Sequence, residues 1–367
     1  MSKIGIGIVG GGYMGKAHAV AYSAVGAVFN TRLRPILRSV AASTPESASR
    51  YAAAFGFERA AQSWEALVAD EEVDAVIIAS PQAHHRSIAE AAFASGKHVF
   101  CEKPLGASLE DSRAMVAAAD ASGKVHMVGF NYIRTPASQF AYQLLQEGRL
   151  GEIVSFRGEH TEDFLADPDE PANWRTETTA AGCMGDLSPH PINCAQRFMG
   201  PIEELHAVVE TVHADRGGVA VKNDDQATIL LKFTSGVSGS LFCSRVATGR
   251  KMGYAYQIDG TKGAIRFDGE DQNAIWLYLR EGPEAEQGFR KILTGPAHPD
   301  YLPFCQGPGH GTGYQDQIII EAKDFLEAID AGQPRWPSFH EGMEVNRVVK
   351  AALASSRERS WVRLVDF

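Results

Sequence analysis

Apolar positions in the first third of the chain fall into short runs divided by turns. Residues 4–9 form a strand-like run interrupted by glycines, and a Gly-rich turn follows at Gly10. Residues 14–23 read as a small-residue helix, and 33–42 as a second strand with arginines interspersed. Residues 45–55 read as a helix that starts from Ser43-Thr44-Pro45-Glu46, an N-terminal signature. Residues 73–79 are apolar apart from Asp74, the pattern of a strand buried on both faces of a parallel sheet. Helix 87–94, closed by Gly96, strand 98–101, helix 109–121 and strand 125–130 continue the alternation. Strands alternating with helices imply βαβ units, right-handed crossovers and a ligand outside the carboxyl ends of the strands.

The texture changes after about residue 150. Residues 153–161, 205–213, 227–233, 239–244, 255–259 and 264–267 read as successive strands. Turns such as Thr234-Ser235-Gly236 and Gly260-Thr261-Lys262-Gly263 separate them, which suggests a largely antiparallel sheet. A helix at 189–198 interrupts the series, and 315–331 and 341–357 are late helices. The expected fold class is α/β: a doubly wound parallel sheet, then an α/β domain with an open, largely antiparallel sheet. The expected domains are 1–130 and 131–367, with the late helices free to pack back on the first. A length of 367 residues suits roughly two domains of about 100–200 residues each.

Composition narrows the function classes. The formal net charge is -10, which argues against nucleic acid or an anionic membrane as the main partner. The longest apolar runs are far too short to span a bilayer. Five cysteines, Cys101, Cys183, Cys194, Cys243 and Cys305, are odd in number and contain no CxxC pair. They make a poor disulfide framework and a poor zinc site, and they fit a reducing cytosol. Met1-Ser2-Lys3-Ile4 leads directly into a strand pattern, so no signal peptide is expected and the location is read as cytoplasmic. No metal is expected.

The turn Gly10-Gly11-Gly12-Tyr13-Met14-Gly15 fits G-x-G-x-x-G between a strand and a helix. The first glycine permits the tight turn, the second lets backbone approach a pyrophosphate, and the third lets helix pack on strand. The helix N-terminus then offers N–H groups and a positive dipole end to phosphates. The expected ligand is NAD or NADP, one per chain and tightly bound in one of the readings below. The second strand ends at Ala41-Ala42-Ser43-Thr44 without the carboxylate that grips the ribose hydroxyls of NAD. Ser43 and Thr44, with Arg38 or Arg50, suit a 2′-phosphate, so the pattern tilts toward NADP and leaves NAD open. Glu46 suits the start of the following helix.

A second motif is Lys97-His98-Val99-Phe100-Cys101-Glu102-Lys103-Pro104-Leu105. Together with the glycine turn it resembles the glucose–fructose oxidoreductase / inositol dehydrogenase / rhizopine-catabolism family. The resemblance extends through Ser80-Pro81-Gln82-Ala83-His84-His85, Gly129-Phe130-Asn131-Tyr132, Asn173-Trp174-Arg175, Gly182-Cys183-Met184-Gly185-Asp186, Asn223-Asp224-Asp225 and Gly260-Thr261-Lys262-Gly263. It implies an N-terminal Rossmann domain and a C-terminal α/β domain whose open sheet shapes the substrate site and often mediates oligomerisation. Lys103 matches the family's catalytic lysine, and Asp186 and His190 its D-x-x-x-H pair. Ser80, Gln82, His85, Glu102, Asn131, Trp174 and Arg175 match cofactor-contacting positions, with Pro81 in the same turn and Tyr13 and Met14 within the fingerprint. The chain departs from the family at Asp186-Leu187-Ser188-Pro189-His190-Pro191-Ile192-Asn193, where prolines flank the histidine. Each proline restricts the residue before it, which fixes the histidine backbone and leaves substrate specificity open.

Oxidising a secondary alcohol removes a hydride from carbon and a proton from oxygen, so the protein needs a positioned base. Lysine serves if burial or a nearby cation lowers its pKa, and histidine serves near its ordinary value. Lys103 is therefore the leading acid/base, His190 its partner or an alternative base, and Asp186 an orienter or sugar-hydroxyl ligand. Asp186 also suits the N-cap of the helix beginning at Pro189. Further substrate-contact candidates are Tyr132, Asp163 at a strand end, and His310 and Tyr314 in the Gly-rich loop 307–314. Arg134 fits a structural salt bridge better than an anion site. The expected substrate is a sugar, anhydro-sugar, glycoside or cyclitol, and the expected assembly a homodimer or homotetramer. Two other readings stay open: a glycoside hydrolase acting by transient C3 oxidation, elimination and re-reduction with retained cofactor, and an inactive cofactor-binding sensor.

Overall fold

The structure, a computed structural model, describes residues 2–178 and 181–367. Its chain divides into two compact units, Met1–Arg134 with Gly313–Asn346, and Thr135–Thr312 with Arg347–Phe367.

In the first unit the strands are β1 (Ser2–Val9), β2 (Leu33–Ala41), β3 (Arg59–Ala60), β4 (Ala75–Ile78), β5 (His98–Glu102) and β6 (His126–Gly129). Helices α1 (Tyr13–Phe29), α2 (Pro45–Phe55), α3 (Trp64–Val68), α4 (His85–Ala94) and α5 (Leu109–Ser122) fall between successive strands. The sheet order is β3-β2-β1-β4-β5-β6 with every pair parallel. The order reverses between β1 and β4, so the crevice beyond their carboxyl ends is the ligand position of a doubly wound sheet. All four residues of β4 are buried; each isoleucine there is worth about 1.5–3 kcal/mol of apolar burial.

Helix α1 runs past the expected end at Ser23 to Phe29. The Ser23 hydroxyl donates back to the Ala19 carbonyl at 2.8 Å, so the serine sits inside the helix without ending it. Asn30 stops it in the left-handed conformation, φ 50°. The helix Tyr314–Ala331 lies against α1 in this unit, and Gln315 Nε2 donates to the Ala17 carbonyl at 2.9 Å.

The second unit carries α6 (Pro136–Gln146), β7 (Ile153–Thr161), α7 (Trp174–Glu177), α8 (Cys183–Asp186), α9 (Pro189–Met199) and β8 (Ile202–Glu210). A two-stranded ribbon, β9 (Asp215–Arg216) and β10 (Val219–Ala220), follows. Then come β11 (Gln226–Phe233), β12 (Ser238–Ser244), β13 (Ala255–Gly260), β14 (Gly263–Asp268), β15 (Ala274–Leu279), β16 (Arg290–Leu293) and β17 (Val362–Arg363). The late helices are α10 (Tyr314–Ala331), already met in the first unit, and α11 (Phe339–Glu358). The sheet order is β16-β15-β14-β13-β7-β12-β11-β8-β17, antiparallel except between β7 and β12. Residues of β11 alternate buried and exposed, the mark of a sheet with one covered face. Helix α6 and strands β15 and β16 are additions to the expected element list.

Among the described residues no helix is long and apolar enough to cross a membrane.

Candidate active site

The glycine turn has the shape a dinucleotide needs. At Gly10, φ is +116° and a Cβ would lie 2.3 Å from the Ala79 carbonyl oxygen. At Gly15 a Cβ would lie 1.9 Å from the Gly10 carbonyl oxygen. Both positions therefore exclude a side chain for internal reasons. Gly12 differs: a Cβ there would meet nothing within 4 Å. It is also the N-cap of α1, with no side-chain cap on the helix N–H groups. Open space over uncapped N–H groups at a helix start fits a pyrophosphate.

The end of β2 is more occupied than the sequence suggests. Thr44 caps α2, its hydroxyl accepting from Ser47 N–H at 3.1 Å. Helix-start N–H and the Thr44 hydroxyl hold the Glu46 carboxyl below its usual range. Arg38 pairs with Glu58, and Arg50 lies over the Tyr51 ring. Three of the four groups offered for a 2′-phosphate thus have other partners, and the tilt toward NADP is withdrawn.

His85 ties two candidate segments together. Its Nε2 lies 2.9 Å from the Ser80 carbonyl, and its Nδ1 lies 3.1 and 3.2 Å from the carbonyls of Pro104 and Leu105. Burial pushes the imidazole pKa down, against the opposing pull of those three carbonyls. The Ser80-Pro81-Gln82 turn is thereby fixed relative to the Lys103-Pro104 turn. Lys103 itself follows the last residue of β5, and its N–H donates to Glu102 Oε2 at 3.3 Å.

Tyr13, Met14, Tyr132 and Tyr314 also come together in the first unit. The Tyr314 ring is 5.8 Å from Tyr13 and 6.1 Å from Tyr132, and its hydroxyl donates to Met14 Sδ at 3.3 Å. Burial first, then Tyr132, pushes the Tyr314 phenol pKa upward, so it stays a neutral donor. Asn131 Nδ2 donates to Gln317 Oε1 at 2.9 Å. Arg134 pairs with Asp324 at 2.9 Å and lies over the Trp336 ring, a structural role.

In the second unit Asp186 closes α8. It does not cap α9, whose N-cap is Ser188. Arg175 Nε lies 4.0 Å from Asp186 Oδ2, so these two candidates are neighbours. His190 is buried in the first turn of α9, its ring edge-on to His160 at 5.3 Å and to Tyr254 at 6.4 Å. His160 holds the turn before it: Nδ1 lies 3.1 Å from the Leu187 carbonyl and Nε2 lies 3.0 Å from Glu162 Oε1. Asp163 is engaged by Lys251 at 2.7 Å, which holds its carboxyl below the usual range.

The Gly-rich loop is braced. Tyr301 Oη donates to the Gly307 carbonyl and accepts from His310 and Gly311 N–H, while Asn273 binds both backbone groups of Thr312. His310 Nδ1 lies 3.1 Å from Cys305 Sγ. The Trp174 side chain lies outside the described residues. Among the described residues no group of three or more His, Cys, Asp or Glu is arranged to hold a metal ion.

Sequence reasoning passed over His18 and Arg245, and took His160 only as part of the strand-end segment that holds Asp163. His18 had a signal: it falls on the buried stripe Gly15, His18, Tyr22 and Val25 of α1, where a polar side chain needs a partner. The partner of Arg245 lies in the singled-out Asn223-Asp224-Asp225 motif, but only folding reveals it.

Comparison with known proteins agrees with this architecture. Residues 4–130 match an oxidoreductase family with an NAD-binding Rossmann fold, and 138–266 match a GFO/IDH/MocA C-terminal domain. The chain is 36% identical to levoglucosan dehydrogenase of Pseudarthrobacter phenanthrenivorans, covering 99% of this chain and 98% of the relative. It is 27% identical to inositol 2-dehydrogenase of Rhizobium meliloti, covering 98% of each. Levoglucosan dehydrogenase solved with NADH and levoglucosan superposes with a TM-score of 0.96 at 36% identity, over 99% of this chain and 100% of the other. An NAD-binding oxidoreductase from Klebsiella pneumoniae gives 0.95 at 37% identity, over 99% of both.

Proposed function

The chain belongs to the GFO/IDH/MocA family of oxidoreductases, and from that premise we propose that it is an NAD-dependent dehydrogenase of an anhydro-sugar or a related secondary-alcohol sugar. The observation that carries this reading is the end-to-end likeness to levoglucosan dehydrogenase, in sequence and in backbone. Five unpaired cysteines fit a reducing compartment.

When bound, the dinucleotide supplies the hydride acceptor. Gly12 would admit its pyrophosphate at the start of α1, in a turn whose close contacts require Gly10 and Gly15, with the Ser80-Pro81-Gln82 turn, fixed by His85, beside Gly10. Lys103 takes the proton of the substrate hydroxyl. Its backbone is held on one side by Glu102 and on the other by the His85 contacts to Pro104 and Leu105. Asp186, beside Arg175, is the acceptor for a sugar hydroxyl. His190 sits in the first turn of α9, after a turn that His160 holds at the Leu187 carbonyl, and is the second proton-transfer candidate.

The test is a panel of anhydro-sugars, inositols, aldoses and aryl glycosides with NAD and with NADP. Reduced-nicotinamide absorbance and released aglycone are followed together. Reduced NAD accumulating with an anhydro-sugar is the expected result. Aglycone release with no net reduced cofactor would replace this reading with a redox-cycling glycosidase.

A further inference from the structure

Glu102, the last residue of β5, is a buried carboxylate with two donors. Oε1 lies 2.7 Å from His18 Nε2, with the side chains only 11% and 1% exposed. Oε2 accepts from the Lys103 N–H at 3.3 Å. With Glu102 ionised its oxygens only accept, and the facing His18 Nε2 is then the donor. The imidazole is held by the edge of Phe100 at 5.0 Å and by Tyr22 at 6.5 Å.

A second carboxyl belongs to the same interior. Glu321 on α10 is fully buried, its carboxyl beside the Phe130 backbone, and no side-chain donor among the described residues bonds it. Burial, then the charge of Glu102, pushes its carboxyl well above the usual range. Two carboxyls in each other's field do not both ionise readily, and hydrogen-bond donors decide which one does. The side-chain donor, His18, stands at Glu102.

We propose that His18 is a positioning residue that acts through Glu102, keeping that side chain as the charged carboxylate of this interior, next to Lys103. The consequence falls on the cofactor, and it rests on the dehydrogenase reading above. The carboxyl ends of β4, β5 and β6 form the half of the sheet beyond the switch point, which takes the nicotinamide mononucleotide when the glycine turn takes the pyrophosphate. A fixed negative charge in that half favours the cationic oxidised nicotinamide over the neutral reduced one. His18 thereby biases the bound cofactor toward the form that accepts hydride.

The experiment measures equilibrium binding without any sugar. NADH is titrated by its fluorescence and NAD by calorimetry, at one pH, for the parent chain and for His18→Leu, His18→Gln and Glu102→Gln. In His18→Leu and Glu102→Gln the ratio Kd(NAD)/Kd(NADH) is expected to rise on the order of fivefold, while His18→Gln, which keeps an N–H donor, stays within about twofold of the parent. A variant that merely loosened the fold would weaken both forms alike and leave the ratio unchanged. An unchanged ratio in Glu102→Gln overturns the inference, as does a shift in His18→Gln. If His18→Leu does not fold, those two variants decide it. A parent chain that binds neither form overturns the cofactor reading itself, which separates that failure from this one.

Discussion

Arg245 and Asp225 form an ion pair in the interior of the second unit, 2.9 Å apart with side chains 1% and 0% exposed. Arg245 also donates to the carbonyls of Arg175 and Ala181 and to Asn223 Oδ1, while Asp225 Oδ2 accepts from the N–H groups of Val212 and His213. One cation thus fixes the backbone on both sides of the segment leading to Asp186. Arg245→Met strands the Asp225 charge in a dry site and is expected to cost about 3–5 kcal/mol of unfolding free energy. Urea denaturation measures it. A loss below about 1 kcal/mol would mean that the pair does not hold this unit together.

Lys103→Ala removes the assigned proton acceptor but none of the pyrophosphate cradle. The turnover number is expected to fall by about 10²–10⁴-fold while NADH affinity changes little. Steady-state rates and a fluorescence titration read the two separately. Undiminished turnover would take the role away from Lys103.

The fingerprint glycines separate fold from binding. Gly10→Val drives a Cβ into the Ala79 carbonyl from a left-handed backbone, so its thermal midpoint should fall. Gly12→Val meets open space, so its midpoint should hold while NAD affinity drops about tenfold or more. Equal thermal losses in the two variants would contradict the assignment of Gly12 to the ligand.

Two histidines of the first unit predict acid sensitivity. Burial first, then Lys124, lowers the His98 pKa from 6.5 to about 4, and burial first, then His340, lowers that of His126 to about 4. Their Nδ1 atoms accept from Val125 and Phe339 N–H, which requires the neutral ring. The unfolded chain binds these protons at a higher pH than the folded one, so their contribution is complete above pH 6.5 and is lost as pH falls toward about 4. Urea midpoints across that window should decline, and His126→Gln should flatten the decline. An unchanged slope would remove His126 from the explanation.

The outer face of the nine-stranded sheet predicts self-association. Val208, Thr228 and Phe242 are cross-strand partners in one row, and Leu230 lies in the next. Val208, Leu230 and Phe242 are 49%, 47% and 36% exposed, an apolar patch that a second copy would cover. Light scattering at micromolar concentration should find a dimer or tetramer, and Leu230→Lys with Phe242→Lys should shift it toward monomer. A parent chain that is monomeric throughout would withdraw this.

Much of the first unit was legible because its signals are local. Gly10, Gly12 and Gly15 are spaced by the geometry of one turn, and β4 announces itself by a run of apolar residues. Helix α6 was less visible because Pro136 and its polar first turn resemble a loop. Strands β15 and β16 were missed because Gly-, Pro- and charge-rich segments surround them. Asp186 as a helix cap was a reasonable reading of spacing, but the chain forms α8 first and Ser188 takes the cap position.

By itself the sequence determined the alternation of strand and helix, the dinucleotide turn and the residue types available for proton transfer, since each depends on neighbours within a few positions. Only the tertiary structure decided which polar groups face each other. His18 meets Glu102 across 84 residues, and Arg245 meets Asp225 across a strand pair. It also showed that Thr44 and Arg38 already have partners. Pairings of this kind depend on how elements distant in the chain are brought together and how far water is excluded from them, and neither is written in any local pattern.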